Sequence, residues 1–164
     1  MAGVGEVLTT TSTGEYEQLV SIIVNGQAGN DTLRGYLGND VINGLSGNDT
    51  LRGLSGNDHL FGNQGNDVLD GGAGKNWLTG GGGADTFTFN DLNNSFAETS
   101  TITDYNKSQV DVISLAGGAS AIASDEKVGG VWQLTLNGDG DIVRLPGVVD
   151  ANHDGHIIDD LLIV

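Results

Sequence analysis

Residues 29–69 read GNDTLRGYLGNDVINGLSGNDTLRGLSGNDHLFGNQGNDVL and repeat one pattern five times. The aspartates stand at positions 31, 40, 49, 58 and 67, always nine residues apart. A hydrophobic core alone does not require a carboxylate at every ninth residue. The spacing therefore predicts a repeat architecture, and the repeated acids indicate bound cations.

Seven units of nine residues fill residues 26–88 without an insertion or deletion. Positions one and four are glycine in every unit, and position six is aspartate in all units but one. Position eight is always large and apolar, which predicts that it forms the core: Leu33, Ile42, Leu51, Leu60, Leu69, Leu78 and Phe87.

These units resemble the G-G-x-G-x-D-x-U-x nonapeptide of the RTX (repeats-in-toxin) calcium-binding family. Several units keep only the first glycine of the leading pair, as in Gly35-Tyr36. The resemblance implies an all-β fold, a parallel β-roll closed by a β-rich C-terminal cap. Two consecutive units would form one coil, with unit n stacked on unit n+2 and Ca²⁺ between their turns.

The chemistry of the repeated residues supports this interpretation. Glycine reaches positive φ without a Cβ clash, so a six-residue turn can close tightly and aim its carbonyls inward. Asparagine at position five tolerates turn geometry. A carboxylate at position six can join those carbonyls around a hard cation that prefers oxygen ligands.

The predicted calcium ligands are the position-six side chains and the position-four glycines of the turns. They are Asp31, Asp40, Asp49, Asp58, Asp67, Asn76 and Asp85, with Gly29, Gly38, Gly47, Gly56, Gly65, Gly74 and Gly83. The stacked pairs would be Asp31–Asp49, Asp40–Asp58, Asp49–Asp67, Asp58–Asn76 and Asp67–Asp85. The alternative is a solenoid of Asx turns that needs no metal, but carboxylates stacked about 4.8 Å apart would then repel one another.

The core is thin, because only one side chain in nine points inward. Such a core does not offset the conformational entropy of so many glycines. Metal binding then has to supply folding free energy, so we expect an unfolded metal-free chain and a folded calcium form.

The pattern divides the chain into three parts. Residues 1–24 are expected to cap one end, residues 25–88 to form the roll, and residues 89–164 to form the C-terminal cap. Within that cap, residues 129–149 predict a β-hairpin turning at 137–140. The final LLIV predicts a short buried strand.

The C-terminal part resembles that of type I-secreted RTX proteins, on the phrases GGGGADTFTF, STITDYNKSQVDVISL and DANHDGHIIDDLLIV. Three groups share it: R-modules of extracellular mannuronan C5-epimerases, surface adhesins and serralysin-like proteases. The R-module likeness is greatest, and it implies a non-catalytic, secreted module that assists a parent domain in binding alginate or another acidic polysaccharide. In these families the uncleaved C-terminus carries the signal for the type I secretion machinery. The alternative is the C-terminal region of an adhesin or protease, with no carbohydrate role.

Two further groups are candidate calcium ligands. Asp150, Asn152 and Asp154 match the start of an EF-hand or dockerin loop, but Leu161 stands where an acid is expected. An Asx-rich turn is the alternative there. Asp104 and Asp111 are either ligands or solvated acids at strand ends.

Composition excludes several classes of function. With 22 acidic and 6 basic residues the formal net charge is −16, which disfavours a nucleic-acid partner. The chain has no cysteine and no apolar run long enough to span a membrane. The first residues show no cleavable signal peptide. The three histidines form no HExxH motif, and the abundant carboxylates are committed to turns, so the sequence predicts no enzyme.

The outward positions of the strands suggest a ligand surface. Arg34 and Arg52 would stack on one face, where they suit a uronate carboxylate. His59, Phe61 and Trp77 would cluster on the opposite face, where aromatic rings suit sugars. The alternative is that residues 89–164 cover the aromatic cluster.

Overall fold

The computed structural model of the chain describes residues 5–7, 21–90, 99–137, 140–149 and 155–164. Fourteen strands and three short 3₁₀ helices are found in these ranges. The helices are Lys107–Gln109, Gly118–Ala121 and Ile158–Asp160. The expected all-β fold is confirmed.

Two sheets lie face to face and enclose the core. The long sheet has nine strands, in the spatial order β1 (Gly5–Val7), β2 (Ile23–Asn25), β4 (Val41–Ser46), β6 (His59–Gln64), β8 (Lys75–Gly82), β10 (Thr99–Ile102), β14 (Ile142–Leu145), β13 (Val131–Leu136) and β12 (Ile122–Val128). The short sheet has five strands, in the order β11 (Val112–Leu115), β9 (Thr86–Phe89), β7 (Val68–Asp70), β5 (Thr50–Arg52) and β3 (Thr32–Arg34).

Successive units alternate between the two sheets, so each strand pairs in parallel with the strand two units away. Thr32 pairs with Thr50 in the short sheet, and Val41 pairs with His59 in the long sheet. In both pairs the partners hold the same position in units n and n+2, which is the register that the repeat predicts. The chain is therefore a parallel β-roll.

The core is a single row of position-eight side chains from each sheet. All seven of them, from Leu33 to Phe87, are 0–2% exposed. The polar neighbours at positions seven and nine point outward, as strand alternation requires. The prediction of a core built from one residue in nine is confirmed.

Strands β4, β6 and β8 of the long sheet have six to eight residues, whereas β3, β5 and β7 of the short sheet have three. Pairing continues past position nine into the next turn, where Leu45 pairs with Asn63 and Ser46 with Gln64. These pairs form although Leu45 and Asn63 have positive φ. Amides of the turns also reach the neighbouring coil, as Gly29 donates to the Ser46 carbonyl at 2.6 Å.

The sheets run without interruption past residue 88. β10 adds to β8 and β11 adds to β9, both in parallel, which gives one further coil. In the long sheet β14 pairs in parallel with β10, and the β14–β13 and β13–β12 pairs that follow are antiparallel. The predicted hairpin is confirmed in β13 and β14, and its turn lies partly outside the described residues. The division into three parts stays a prediction.

The last residues differ from the expected buried strand. Only Ile163 forms a bridge, with Ile113, while Leu161 follows a 3₁₀ helix and Val164 is 64% exposed. The tail is held at the edge of the short sheet, where Ile113 donates to the Leu162 carbonyl and Leu115 to that of Val164. An edge position leaves one face of the tail in solvent.

Candidate metal centres

The position-six side chains form two columns along the roll, one on each side. The first column contains Asp31, Asp49, Asp67 and Asp85, and Asp111 from outside the repeats extends it. The second column contains Asp40, Asp58 and Asn76. The Asp31 amide donates to Asp49 Oδ1 at 2.8 Å, and the Asp40 amide donates to Asp58 Oδ1 at 2.8 Å. The same bond joins Asp49 to Asp67, Asp58 to Asn76 and Asp67 to Asp85. The five predicted stacked pairs are therefore present.

These carboxylates are buried although they carry charge. Asp40, Asp49, Asp58, Asp67 and Asp85 are each no more than 1% exposed. Buried ionised groups are stable only when they are paired or coordinate a metal. No cationic side chain among the described residues forms an ion pair with them, because the described pairs are Arg52–Asp70 and His156–Asp125.

One oxygen of most of these aspartates has no hydrogen-bond partner. It is the buried Oδ2 of Asp49, Asp58, Asp67 and Asp85. Asp31 and Asp40 differ, since their Oδ2 atoms accept the amides of Gln27 and Tyr36, both at 2.7 Å. A buried acceptor without a partner costs about 1–3 kcal/mol. Four such oxygens along the roll fit a set of bound cations.

The position-one glycines explain the space beside each carboxylate. At Gly26, a Cβ would lie 2.5 Å from the Gly44 carbonyl oxygen and 2.6 Å from Asp31 Oδ2. The equivalent carbonyl and carboxylate oxygens crowd Gly35, Gly44, Gly53 and Gly62 in the same way. A side chain at position one would thus fill the small cradle where oxygens of two stacked turns meet. Carbonyl and carboxylate oxygens together suit Ca²⁺.

The two glycines of each unit are required for different reasons. The position-one glycines have no positive φ, so space rather than backbone freedom selects them. The position-four glycines do have positive φ, at 111° in Gly29 and 125° in Gly47. Gly38 is the exception among the position-four residues. The sequence argument from positive φ holds at position four and is wrong at position one.

Position two sets whether the carboxylate oxygen has a partner. Leu45, Leu54 and Asn63 adopt positive φ of 81°, 82° and 77°, and the aspartates of their units have an unpartnered Oδ2. Gln27 and Tyr36 lack positive φ, and their amides donate to Oδ2 instead. The left-handed conformation therefore leaves the carboxylate oxygen available for a cation.

Position-five asparagines form two further ladders that sequence reasoning missed. The Asn48 amide donates to Asn30 Oδ1, and the Asn66 amide donates to Asn48 Oδ1, both at 2.8 Å. The other ladder joins Asn57 to Asn39 and Lys75 to Asn57. The signal was visible, since position five is asparagine in the first five units.

Burial raises the pKa of these carboxyls above the ordinary value of 3.8. The pKa of Asp58 rises to about 6 through burial and the nearby charge of Asp40, against a lowering by the Asp40 amide. The pKa of Asp85 also rises to about 6, through burial and the charges of Asp111, Asp67 and Asp104. Burial likewise raises the pKa of Asp49, Asp67 and Asp111. Removing these charges from water without a counter-ion is thus unfavourable.

The remaining candidate ligands have different positions. Asp111 continues the first column, and Asp104 accepts the amides of Gly80 and Gly81. Asp150, Asn152 and Asp154 lie outside the described residues. No three His, Cys, Asp or Glu side chains of the described part converge on one point, so each site needs backbone oxygens as well.

The two outward faces differ in charge and chemistry. Arg34 and Arg52 are neighbours on the short sheet, but Arg52 Nε lies 3.2 Å from Asp70 Oδ2. On the long sheet the rings of His59 and Trp77 stack at 4.7 Å, and Trp77 is 40% exposed. We call His59, Phe61 and Trp77 the aromatic strip. Its exposure shows that the described part of the cap does not cover it.

The match to a known family agrees with this geometry. A family model of the RTX calcium-binding nonapeptide repeat matches residues 23–51, 52–87 and 61–94. The matched residues run from 23 to 94 and include all seven nonapeptide units. The chain is also similar to the solution structure of the AlgE6R3 subunit from the Azotobacter vinelandii mannuronan C5-epimerase, with 27% identity and a TM-score of 0.42 over 98% of this chain and 84% of that chain. The comparison with curated proteins gives no match. Among the described residues, no helix is both long and apolar enough to cross a bilayer.

Proposed function

We propose that this chain is a non-catalytic RTX module that folds on Ca²⁺ outside the cell and stabilises an exported parent protein. The observation that carries the proposal is the double column of buried carboxylates, four of which have an unpartnered Oδ2. In a cytosol poor in calcium the carboxylates within each column repel one another. The chain then stays unfolded and able to pass a type I secretion channel. Calcium outside the cell then supplies the folding free energy.

The test is a calcium titration of the chain in chelator, followed by circular dichroism and amide NMR. We expect little stable β structure without calcium and cooperative folding at about 10⁻⁴–10⁻³ M, the range of extracellular modules. Magnesium is the control, since it demands a smaller octahedral site and gives up water reluctantly. A well-dispersed spectrum in excess chelator would refute the proposal.

Binding of an acidic polysaccharide such as alginate is a second proposed role. The long sheet supports it, because its seven adjacent strands from β2 to β13 contain no Asp or Glu in a chain that has 22. Trp77, Thr101 and Arg144 lie on neighbouring strands in one row, and Lys75 is exposed on β8. This face offers cations for carboxylates and exposed aromatic rings for sugars.

Two double variants compare the faces. Lys75→Ala with Arg144→Ala removes two cations from the long sheet, and Arg34→Ala with Arg52→Ala removes two from the short sheet. We expect the long-sheet variant to lose more affinity for short uronate oligomers, because Asp70 already neutralises Arg52. Affinity should fall with salt. Trp77 fluorescence reports binding, since Trp132 is only 5% exposed.

A larger loss in the short-sheet variant would return the contact to Arg34 and Arg52. No binding by either the variants or the wild type would favour the adhesin or protease alternative, without a carbohydrate role. The sequence that precedes residue 1 in the parent protein would separate these alternatives directly.

A further inference from the structure

The roll continues for one coil beyond the nonapeptides. Trp77 pairs with Thr101, and Thr86 pairs with Val112. In both pairs the partners are farther apart in sequence than the two units that separate stacked nonapeptides. The intervening turn, residues 103–111, has none of the glycines of the repeats. It nevertheless closes against the last nonapeptide turn, residues 80–85.

Asp111 occupies the same place in this turn as the position-six aspartates do in theirs. The Asp85 amide donates to Asp111 Oδ1 at 3.1 Å, as the Asp67 amide donates to Asp85 Oδ1 at 2.9 Å. The Asn106 amide donates to Asp111 Oδ2 at 2.8 Å, which reproduces the bond to Asp31. Asp111 is 2% exposed. The first column therefore gains a fifth carboxylate from outside the repeat.

Asp85, in the last nonapeptide turn, has a buried carboxylate oxygen that lies beside Gly80 of the same turn. Its side chain is 1% exposed, and its Oδ2 has no hydrogen-bond partner. The Asp104 carboxylate of the cap turn 103–111 lies against residues 80–85, where it accepts the amides of Gly80 at 2.9 Å and Gly81 at 2.8 Å. Among the described residues, Lys, Arg and His form no ion pair with Asp85, Asp104 or Asp111.

We propose that a calcium ion binds between residues 80–85 and the cap turn 103–111, with Asp85 and Asp111 as its carboxylate ligands. Asp104 positions the Gly80–Gly81 backbone and adds negative charge. The proposal rests on the calcium-folded roll of the proposed function and extends it to a site that the nonapeptide pattern does not encode. Two buried carboxylates with backbone oxygens provide the hard ligands that Ca²⁺ prefers.

This ion would connect the roll to the C-terminal tail. The Leu162 amide donates to the Tyr105 hydroxyl at 2.7 Å, and Tyr105 follows Asp104 directly. β11, which follows Asp111, carries the bridge to Ile163. Ordering the turn would therefore order both attachments of the tail.

The first experiment counts calcium ions by titration calorimetry on the full chain. Asp111→Asn keeps the side-chain shape and an acceptor oxygen but removes the charge, so we expect one ion fewer than in the wild type. Lys107→Ala, a change at an exposed residue of the same turn, is the control and should leave the count unchanged. In NMR of the calcium-folded form, the Leu162 amide resonance should differ between the wild type and Asp111→Asn and should not differ between the wild type and Lys107→Ala.

The second experiment remains decisive if Asp111→Asn fails to fold. Terbium replaces calcium, and excitation of Tyr105 sensitises the ion in the adjacent turn. Tyr105→Phe should bind as many ions as the wild type and lose part of the tyrosine-excited emission. An unchanged ion count in Asp111→Asn, or unchanged emission in Tyr105→Phe, would overturn this site while leaving the nonapeptide sites intact. A wild-type chain that binds no calcium would instead refute the proposed function.

Discussion

At the scale of single residues, position two of each unit decides how ready a turn is for a cation. A bulky residue in the left-handed region is strained by about 1–2 kcal/mol. Leu45 and Leu54 accept this strain, whereas Gly72 and Gly81 reach positive φ without a Cβ. The second glycine of the nonapeptide is thus a conformational requirement of the turn.

Leu45→Gly is expected to lower the calcium concentration needed for folding. The change removes strain at φ 81°, and little burial is lost because Leu45 is 46% exposed. We expect a gain of about 1 kcal/mol, measured by calcium-dependent melting. The matched control is Tyr36→Gly, where φ is not positive and glycine should give no gain. Equal effects of the two variants would show that strain at position two is unimportant.

The sequence predicted which side chains are buried better than it predicted backbone conformation. Position eight alternates with polar neighbours, so its burial followed from the pattern alone. Position two was not predicted, because glycine, leucine and asparagine all occupy it and only the backbone shows their shared conformation. The need for glycine at position one was predicted, but for the wrong reason. A Cβ is excluded there by a carbonyl oxygen of the next coil and not by a positive φ.

At the scale of elements, each column couples neighbouring turns through hydrogen bonds and through shared sites. Asp49 accepts the Asp31 amide and donates to Asp67, so it belongs to two stacked pairs. Asp31 belongs to one. The two residues look alike in sequence but differ in the number of contacts that depend on them.

Asp49→Ala is therefore expected to raise the calcium needed for folding more than Asp31→Ala does. It removes a carboxylate from two sites and leaves the buried Asp31 amide without an acceptor, which costs about 1–3 kcal/mol. Asp31→Ala removes the acceptor of the Gln27 amide instead, and water can replace that acceptor because Gln27 is exposed. Calcium-dependent melting of both variants measures the difference. Equal shifts would mean that the stacked pairs do not share ions.

Asn76→Asp is expected to tighten the site that it shares with Asp58. The second carboxylate adds a charged ligand. Without calcium the same change should destabilise the roll, because the Asn76 amide group donates to the Gly72 carbonyl at 2.8 Å and a carboxylate would not. Opposite effects with and without calcium distinguish a ligand from a structural residue. A variant that is weaker in both conditions would refute the assignment.

The register of these elements was predictable, and their extent was not. A strict nine-residue period fixes which residues pair, as Thr32 with Thr50 shows. The coil formed by β10 and β11 has no sequence repeat. Its only signals in the sequence were Asp104 and Asp111, which did not show that Asp111 pairs with Asp85.

At the scale of the whole molecule, the negative charge is distributed unevenly. The two columns run along the sides of the roll, while seven adjacent strands of the long sheet lack acids. Seven of the 22 acidic residues lie in these two columns, so the columns are one part of an unevenly distributed negative charge.

Without calcium, the roll is expected to be more stable at low pH. The pKa of Asp58 and Asp85 is about 6 in the fold and near the ordinary 3.8 when unfolded, so the fold binds more protons between these values. Their favourable contribution is complete below pH 3.8 and is lost as pH rises through about 6. Circular dichroism in chelator should show more β structure at about pH 4 than at about pH 7.5. Calcium binding should weaken below about pH 6, because protons compete for the same oxygens.

Asp58→Asn is the control for this pH dependence, since it removes one titrating group from the second column. Its metal-free form should respond less to pH between about 4 and 7 than the wild type does. A metal-free chain that loses β structure on acidification would contradict the sign of the argument.

The alternation of units between two sheets also restricts how such a chain can change length during evolution. The strand β1 at one end and the antiparallel strands β14, β13 and β12 at the other belong to the same sheet. Gain or loss of two units lengthens or shortens the roll by one coil, about 4.8 Å, and preserves that arrangement. Gain or loss of a single unit would transfer one end to the opposite sheet. Duplication of units in pairs is therefore the tolerated route, and a domain attached before residue 1 would keep its side of the molecule only when the number of units changes by an even number.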